Sequence, residues 1–224
     1  MKAKLNIHQH GVEIRKEFLS SSIIDAIKSE IDSLEDILPK HGLRNADEKI
    51  ESVRLLAESE EVRSLVQSIL NGEVQMVRAI LFDKTPDKNW LVTWHQDKTI
   101  AVKQKQDIDG WDPWSLKDGV YHVQPPESVL NYMVTLRFHL DDADENNGCL
   151  KVIPKSHEKG VLSQQQIDDL VKLNEPVLCQ VKAGDLIIMR PHILHASTKS
   201  KEPKHRRVVH IEYIRKSELI LFER

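Results

Sequence analysis

The spacing of apolar residues changes once along this 224-residue chain, at Asn71-Gly72, and that change restricts the fold to a helical layer on a β structure. Before it, apolar residues recur at helical intervals. After Ser20-Ser21-Ser22, a capping-type cluster, come Ile23, Ile27, Ile31, Leu34 and Leu38, a stripe that Pro39 ends. A second helix is expected over 46–57 with Ile50, Val53 and Ala57 inward. A third, capped by Ser59, carries Val62, Leu65, Val66, Ile69 and Leu70. From Val74 onward, short runs rich in β-branched and aromatic residues take over: VQMVRAILF, WLVTWHQD, YHVQ, LNYMVTLRFHL, LKVI, VLCQV, DLIIM and RRVVHIEYI. One helix is expected among them, where Ser163 and Gln166 stand at capping-box spacing. The pattern predicts a mainly β protein, a double-stranded β-helix (a cupin-like jelly roll) with N-terminal helices packed outside the barrel. It reads as one domain over 1–224, with a helical layer over 1–72, a β core over 73–216 and a lid-like insertion over 98–128.

Composition narrows the function classes. Lys and Arg number 32 against 35 Asp and Glu, a net charge of −3, so no basic stripe for nucleic acid is expected. No apolar run approaches the length of a membrane span, and MKAKLNIHQHGVEIRKEF lacks the apolar core of a signal peptide. Cys149 and Cys179 form neither a disulfide framework nor a C-x-x-C pair, which fits a cytoplasmic protein. Dinucleotide and P-loop glycine patterns, the G-x-S-x-G elbow and H-E-x-x-H are all missing.

What remains is histidine, eleven of them. In a strand, residues i and i+2 share a face, so His95 and Asp97 of WLVTWHQD can reach one ion while Gln96 points away. About a hundred residues on, GDLIIMRPHILHAS offers His192 and His195 as a third ligand. Two histidines and one carboxylate on one face of an ion form the facial triad of non-haem Fe(II) oxygenases. Arg206 follows at the start of RRVVHIEYI. An arginine pointing into a barrel needs an anion, and its planar fork suits a carboxylate. Alternation then turns Arg207 outward.

WHQD at 94–97, NNGCLKVIPKSHEKG at 146–160, and HAS at 195–197 followed by Arg206 resemble the phytanoyl-CoA dioxygenase family of Fe(II)/2-oxoglutarate-dependent oxygenases. The likeness spans about residues 74–215 and favours His195 over His192. It implies His95, Asp97 and His195 as metal ligands. Arg206 would then partner the C5 carboxylate of 2-oxoglutarate, assisted by Ser197, with Gln96 and Thr135 as further co-substrate contacts. The family's upstream lysine and later tryptophan have no clear match, and Arg78, Lys84, Thr135 and Arg137 are the candidates for those duties. The usual P-G-S-H reads Pro154-Lys155-Ser156-His157, so that turn is made without its glycine.

The resemblance further implies Fe(II), 2-oxoglutarate and O2 as cofactor and co-substrates. The reaction would be oxidation, most simply hydroxylation, of a small molecule, with succinate as co-product. The alternative is a cupin-like metal protein that does not use 2-oxoglutarate, which would need the triad but not Arg206. Within 98–128, Trp111, Trp114 and Tyr121 are the expected substrate-binding residues of a lid. His139 is expected to be a satisfied sheet histidine and Cys149 a small buried hydrophobe.

Overall fold

The computed structural model describes residues 5–34, 42–85, 87–117, 119–201 and 204–222. Its strands, in chain order, are β1 (Val12–Arg15), β2 (Leu43–Arg44), β3 (Val74–Lys84), β4 (Val92–His95), β5 (Ile100–Val102), β6 (Trp114–Lys117) and β7 (Val120–Val123). They continue with β8 (Met133–His139), β9 (Leu150–Val152), β10 (Val177–Cys179), β11 (Leu186–Met189), β12 (His195–Ser197) and β13 (Arg206–Arg215). A six-stranded sheet runs β1-β11-β8-β13-β3-β2 and a four-stranded sheet β10-β9-β12-β4, antiparallel throughout. Together they form the expected double-stranded β-helix, and a small cavity lies between them.

The larger sheet places its apolar residues on the outside. Ala79 and Leu81 of β3, Val134, Leu136 and Phe138 of β8, and Val209, Ile211 and Tyr213 of β13 share one core with the N-terminal helices. Tyr213 also donates its hydroxyl to the Ala57 carbonyl at 2.8 Å. Side chains alternate along a strand, so the intervening residues face the interior. Register aligns them in rungs: Arg78, Glu212 and Thr135; then Ile80, His210 and Arg137; then Phe82, Val208 and His139; and finally Lys84 beside Arg206. Around β13 and β3 the barrel interior is therefore mostly polar and charged, while toward β1, β11, β9 and β10 it is a buried apolar core that includes Val12, Ile187, Met189, Leu150, Val152 and Cys179.

The helical layer follows its sequence signals with three differences. In the helix Ser21–Ser33, capped by the Ser20 hydroxyl, the buried stripe is Ile24, Ile27 and Ile31, while Ile23 is exposed. Leu38 and Pro39 lie outside the described residues. The expected second helix is two, Ala46–Lys49 and Glu51–Glu58, because Ile50 leaves helical dihedrals (φ −128°, ψ 105°) and is buried. The third, Glu60–Leu70, starts on the Ser59 hydroxyl, stops at left-handed Asn71 and buries all five expected residues. Finally, the first 72 residues are not purely a helical layer. β1 pairs with β11 and β2 with β3, so this segment completes both edges of the larger sheet.

The insertion over 98–128 also differs from a loop. β5, β7 and β6 form a three-stranded sheet of its own. Ile100, Val102, Trp111 and Val123 are buried in its core with Leu130, Met133 and Ile214. The expected capping box is present at the helix Gln164–Leu173. Lys155, in the glycine position of the P-G-S-H turn, takes a left-handed conformation (φ 67°).

Candidate metal centre

β4 and β12 lie side by side, with His95 opposite His195 in register. A bulge between His195 and Ser197 adjusts the pairing there, the kind of irregularity that re-aims side chains at sites. β4 ends at His95, so Asp97 lies just beyond the strand, where its N–H bonds to the Pro191 carbonyl at 2.9 Å. Even so, His95, Asp97 and His195 each offer one ligand atom within 4.8 Å of the others. His95 Nε2 is 3.6 Å from Asp97 Oδ1, and His195 Nε2 is 3.4 Å from Asp97 Oδ2.

The two rings are oriented alike. His95 Nδ1 donates to the Thr93 carbonyl at 2.9 Å and His195 Nδ1 to the Ile193 carbonyl at 2.8 Å. A carbonyl only accepts, so each Nδ1 carries hydrogen and each Nε2 keeps its lone pair for an ion. Burial alone would raise the Asp97 carboxyl, but His195 and His95 pull it well below the usual carboxylate range. This donor set of two imidazole nitrogens and a carboxylate fits a first-row divalent ion such as Fe(II). Asp97, His210 and Glu212 form a second close group, but there His210 Nε2 and the Glu212 carboxylate are already bonded to each other. His192 is not in either group. It is buried with no partner for its ring nitrogens among the described residues, packs against His157, and burial pushes it down to about 4.

Behind the triad lies a cavity of about 220 Å³, lined by Phe82, Trp90, Leu150 and four cationic side chains: Arg78, Lys84, Arg137 and Arg206. Arg206 is buried, and its Nε and Nη1 find no partner among the described residues. Burial and the neighbouring Arg137 lower it to about 10. Lys84 bonds to Ser197 Oγ and to the Thr198 carbonyl, each at 2.7 Å. Burial, Arg206 and Arg137 lower it to about 7. Gly148, in the NNGCL segment, is left-handed (φ 75°), and a Cβ there would stand 2.3 Å from that same Thr198 carbonyl. Arg207 faces the other way, bonded to Asp141 and Asp32.

Not every residue singled out in the sequence is at the cavity. Gln96 is used up elsewhere, its amide donating to the Gly160 and His192 carbonyls and accepting from the Leu162 N–H. Thr135 is buried on the inner face with its hydroxyl unpartnered among the described residues, but it does not line the cavity. Trp111 is a core residue, only 3% exposed, and Trp114 packs edge-on to Tyr121 against the same core. All three sit away from the triad because the insertion folds around them. His139 is not the satisfied histidine expected, since both of its ring nitrogens are buried without a partner among the described residues. Cys149 is buried, and burial pushes its thiol up to about 11. Sequence reasoning missed His210 and Glu212. The signal was there as alternation of polar residues in RRVVHIEYI, masked by an expectation that apolar residues face inward.

A family model described as phytanoyl-CoA dioxygenase (PhyH) matches residues 7–208. The chain belongs to the phytanoyl-CoA dioxygenase family. Enzymes of this family use Fe(II), 2-oxoglutarate and O2. A curated family member, phytanoyl-CoA dioxygenase 1 of Oryza sativa subsp. japonica, is 31% identical over 163 residues, covering 68% of this chain. That match spans about half of the rice protein, 49% of its length. Among solved structures, AviO1 from Streptomyces viridochromogenes Tue57 superposes with TM-score 0.70 at 20% identity, covering 94% of this chain and 92% of its own. EctD from S. alaskensis, solved with 2-oxoglutarate and 5-hydroxyectoine, gives TM-score 0.74 at 16% identity over 95% and 74% of the two chains. HygX from Streptomyces hygroscopicus, with nickel and 2-oxoglutarate bound, gives 0.68 at 15% over 94% and 85%. These likenesses show the fold. Among the described residues, no helix is long and apolar enough to cross a membrane.

Proposed function

We propose that this family member is an Fe(II)- and 2-oxoglutarate-dependent oxygenase acting on a small organic molecule, most simply by hydroxylation. The observation that carries the reading is Arg206, a buried guanidinium whose Nε and Nη1 have no hydrogen-bond partner among the described residues, in the same small cavity as the His95, Asp97 and His195 donors. A buried unpaired charge is costly, and a metal protein without a carboxylate ligand would have no use for it. The cavity's size suits a short dicarboxylate. Bound at the triad, iron would supply the chemistry that couples O2 and the decarboxylation of 2-oxoglutarate to substrate oxidation.

The chain's own part is placement. His95 and His195 present Nε2 because their Nδ1 atoms are held by backbone carbonyls, and Asp97 adds one negative charge. An ion held by these three protein ligands would keep further positions for co-substrate and O2. Arg206 takes the C5 carboxylate with its planar fork, while Ser197 Oγ and Lys84 Nζ border the same anion. Gln96, bonded to backbone groups, and Thr135, outside the cavity lining, are not part of the proposed set. For the primary substrate, a larger cavity of about 710 Å³ meets the first at Arg78, which lines both. Ala101–Gln104 of the insertion, with Gly119 and Val120, form one wall of it.

The test is anaerobic. Fe(II) and then 2-oxoglutarate are added and binding is followed by calorimetry, after which a metabolite panel is scored by succinate release. Tight 2-oxoglutarate binding that requires metal, and substrate-stimulated succinate, are expected. Normal Fe(II) binding with no affinity for 2-oxoglutarate would overturn the reading in favour of a cupin-like metal protein.

A further inference from the structure

Of the four cations at the inner cavity, Arg137 is the one that a carboxylate held at Arg206 leaves unexplained. Arg78 pairs with Glu212. Lys84 is held beside Ser197 and borders Arg206. Arg137 is buried, 7% exposed, yet no carboxylate bonds to it among the described residues. Its Nη1 donates to His210 Nδ1 at 2.8 Å, its Nε has no partner, and the Phe82 ring lies 5.7 Å away.

The hydrogen-bond directions fix what His210 can be. A guanidinium only donates, so His210 Nδ1 accepts, and its hydrogen sits on Nε2. That Nε2–H donates to Glu212 Oε1 at 2.9 Å, and Glu212 also receives Arg78. The result is a buried relay, Arg137 to His210 to Glu212, with Arg78 closing the far end. His210 is neutral in this arrangement, so it holds the Arg137 guanidinium in place without offsetting its charge. A charge fixed so firmly in a cavity wall, with no carboxylate bonded to it among the described residues, is built for a ligand's anion.

We propose that Arg137 heads a second carboxylate subsite in this cavity, distinct from the one at Arg206, and that His210 and Glu212 are positioning residues that aim it. Two ligands can supply the carboxylate. One is the C1 carboxylate of 2-oxoglutarate, where the inference rests on the function proposed above. The other is a carboxylate on the primary substrate. Charge favours an anion from either source. Among the described residues, Asp97 lines the cavity with Arg78, Lys84, Arg137 and Arg206, and Glu212 pairs with Arg78 beside it, while a divalent metal adds two further positive charges. A 2-oxoglutarate dianion offsets no more than the metal, so an acidic substrate would still meet a positive cavity.

The experiment uses the full chain loaded with Ni(II), which is inert to O2, and compares wild type with Arg137→Gln. Three quantities are read: the melting temperature of the ligand-free protein, the 2-oxoglutarate Kd, and the binding of acetate and benzoate to the 2-oxoglutarate-loaded protein. Removing an uncompensated buried charge should leave the ligand-free melting temperature unchanged or raised, whereas a merely structural arginine would lower it. If the carboxylate is C1, the 2-oxoglutarate Kd rises at least tenfold in Arg137→Gln. If it belongs to the substrate, that Kd stays within twofold, and the monocarboxylates bind loaded wild type but not the variant. His210→Gln, which keeps an acceptor for Arg137, should retain carboxylate affinity that His210→Leu loses. A melting temperature that falls with both binding measures unchanged would overturn the subsite. Equal affinities in the two His210 variants would overturn the positioning role. Should wild type bind no 2-oxoglutarate at all, the proposed function fails, and acetate and benzoate titrated into the Ni(II) protein alone still decide whether Arg137 binds carboxylate.

Discussion

Two hydrogen bonds to backbone carbonyls decide how His95 and His195 point, and a ligand histidine held in this way loses little orientational freedom on binding an ion. Altering such outer contacts alone typically costs 10–100-fold in metal affinity, so loss of a ligand itself should exceed about 100-fold. His195→Ala is expected to show that loss in a calorimetric Fe(II) or Ni(II) titration, while His192→Ala binds metal as wild type does. Lys84 gives a pH signature. Burial and its arginine neighbours lower it to about 7, and a carboxylate ligand would favour its ammonium form. Binding then takes up a proton above pH 7, so 2-oxoglutarate affinity should fall as pH rises, by roughly tenfold per unit at most. Lys84→Met should bind more weakly but with a flat profile between pH 7 and 9; a flat wild-type profile would remove the proton from the account. The triad was legible in the sequence because H-x-D, the distal H-x-S and Arg206 keep fixed spacings. His210 and Glu212 were not, because one histidine and one glutamate inside an apolar run carry no spacing signal of their own.

At the level of elements, long strands and long helices announced themselves, as did short strands lying in dense apolar runs (LKVI, VLCQV, DLIIM), while short strands of mixed composition did not. β3, β8 and β13 have enough residues for their composition to be read, whereas β1, β2 and β12 have four residues or fewer, too few for a period. The insertion misled for a different reason. Its tryptophans look like pocket residues in a sequence, but Trp111 forms the centre of a small core with Ile100, Val123 and Leu130. Trp111→Ala should accordingly cost about 3–5 kcal/mol of stability, the range for emptying a buried aromatic site. Denaturant midpoints would show it, and unchanged stability would restore the lid reading. The turn at Lys155 supplies a test of opposite sign. Left-handed geometry costs a residue with a side chain roughly 1–2 kcal/mol, while glycine loses some of that advantage through unfolded-chain entropy. Lys155→Gly should therefore stabilise the protein by about 1 kcal/mol in the same denaturant series, with the metal site undisturbed.

For the molecule as a whole, one apolar core lies between the larger sheet and the helices and a second fills the barrel at β1, β11, β9 and β10, while the interior around the cavity is polar. Ligands that fill that interior should stabilise the entire chain by mass action. With Ni(II) present and 2-oxoglutarate at a hundred times its Kd, the gain is about 2.7 kcal/mol. At this chain length that corresponds to a rise of about 5–10 °C in melting temperature. The same concentration of acetate should give a smaller shift, and equal shifts would mean that the dicarboxylate is not recognised as such. The separation of the two faces has a consequence for how this chain can change over generations. The outer face is free to be selected for durability, but the inner face of cations is where durability and usefulness conflict. A population propagated under heat alone, with no demand for turnover, should therefore accumulate neutral replacements at Lys84, Arg137 and Arg206 first, becoming tougher as it goes chemically silent.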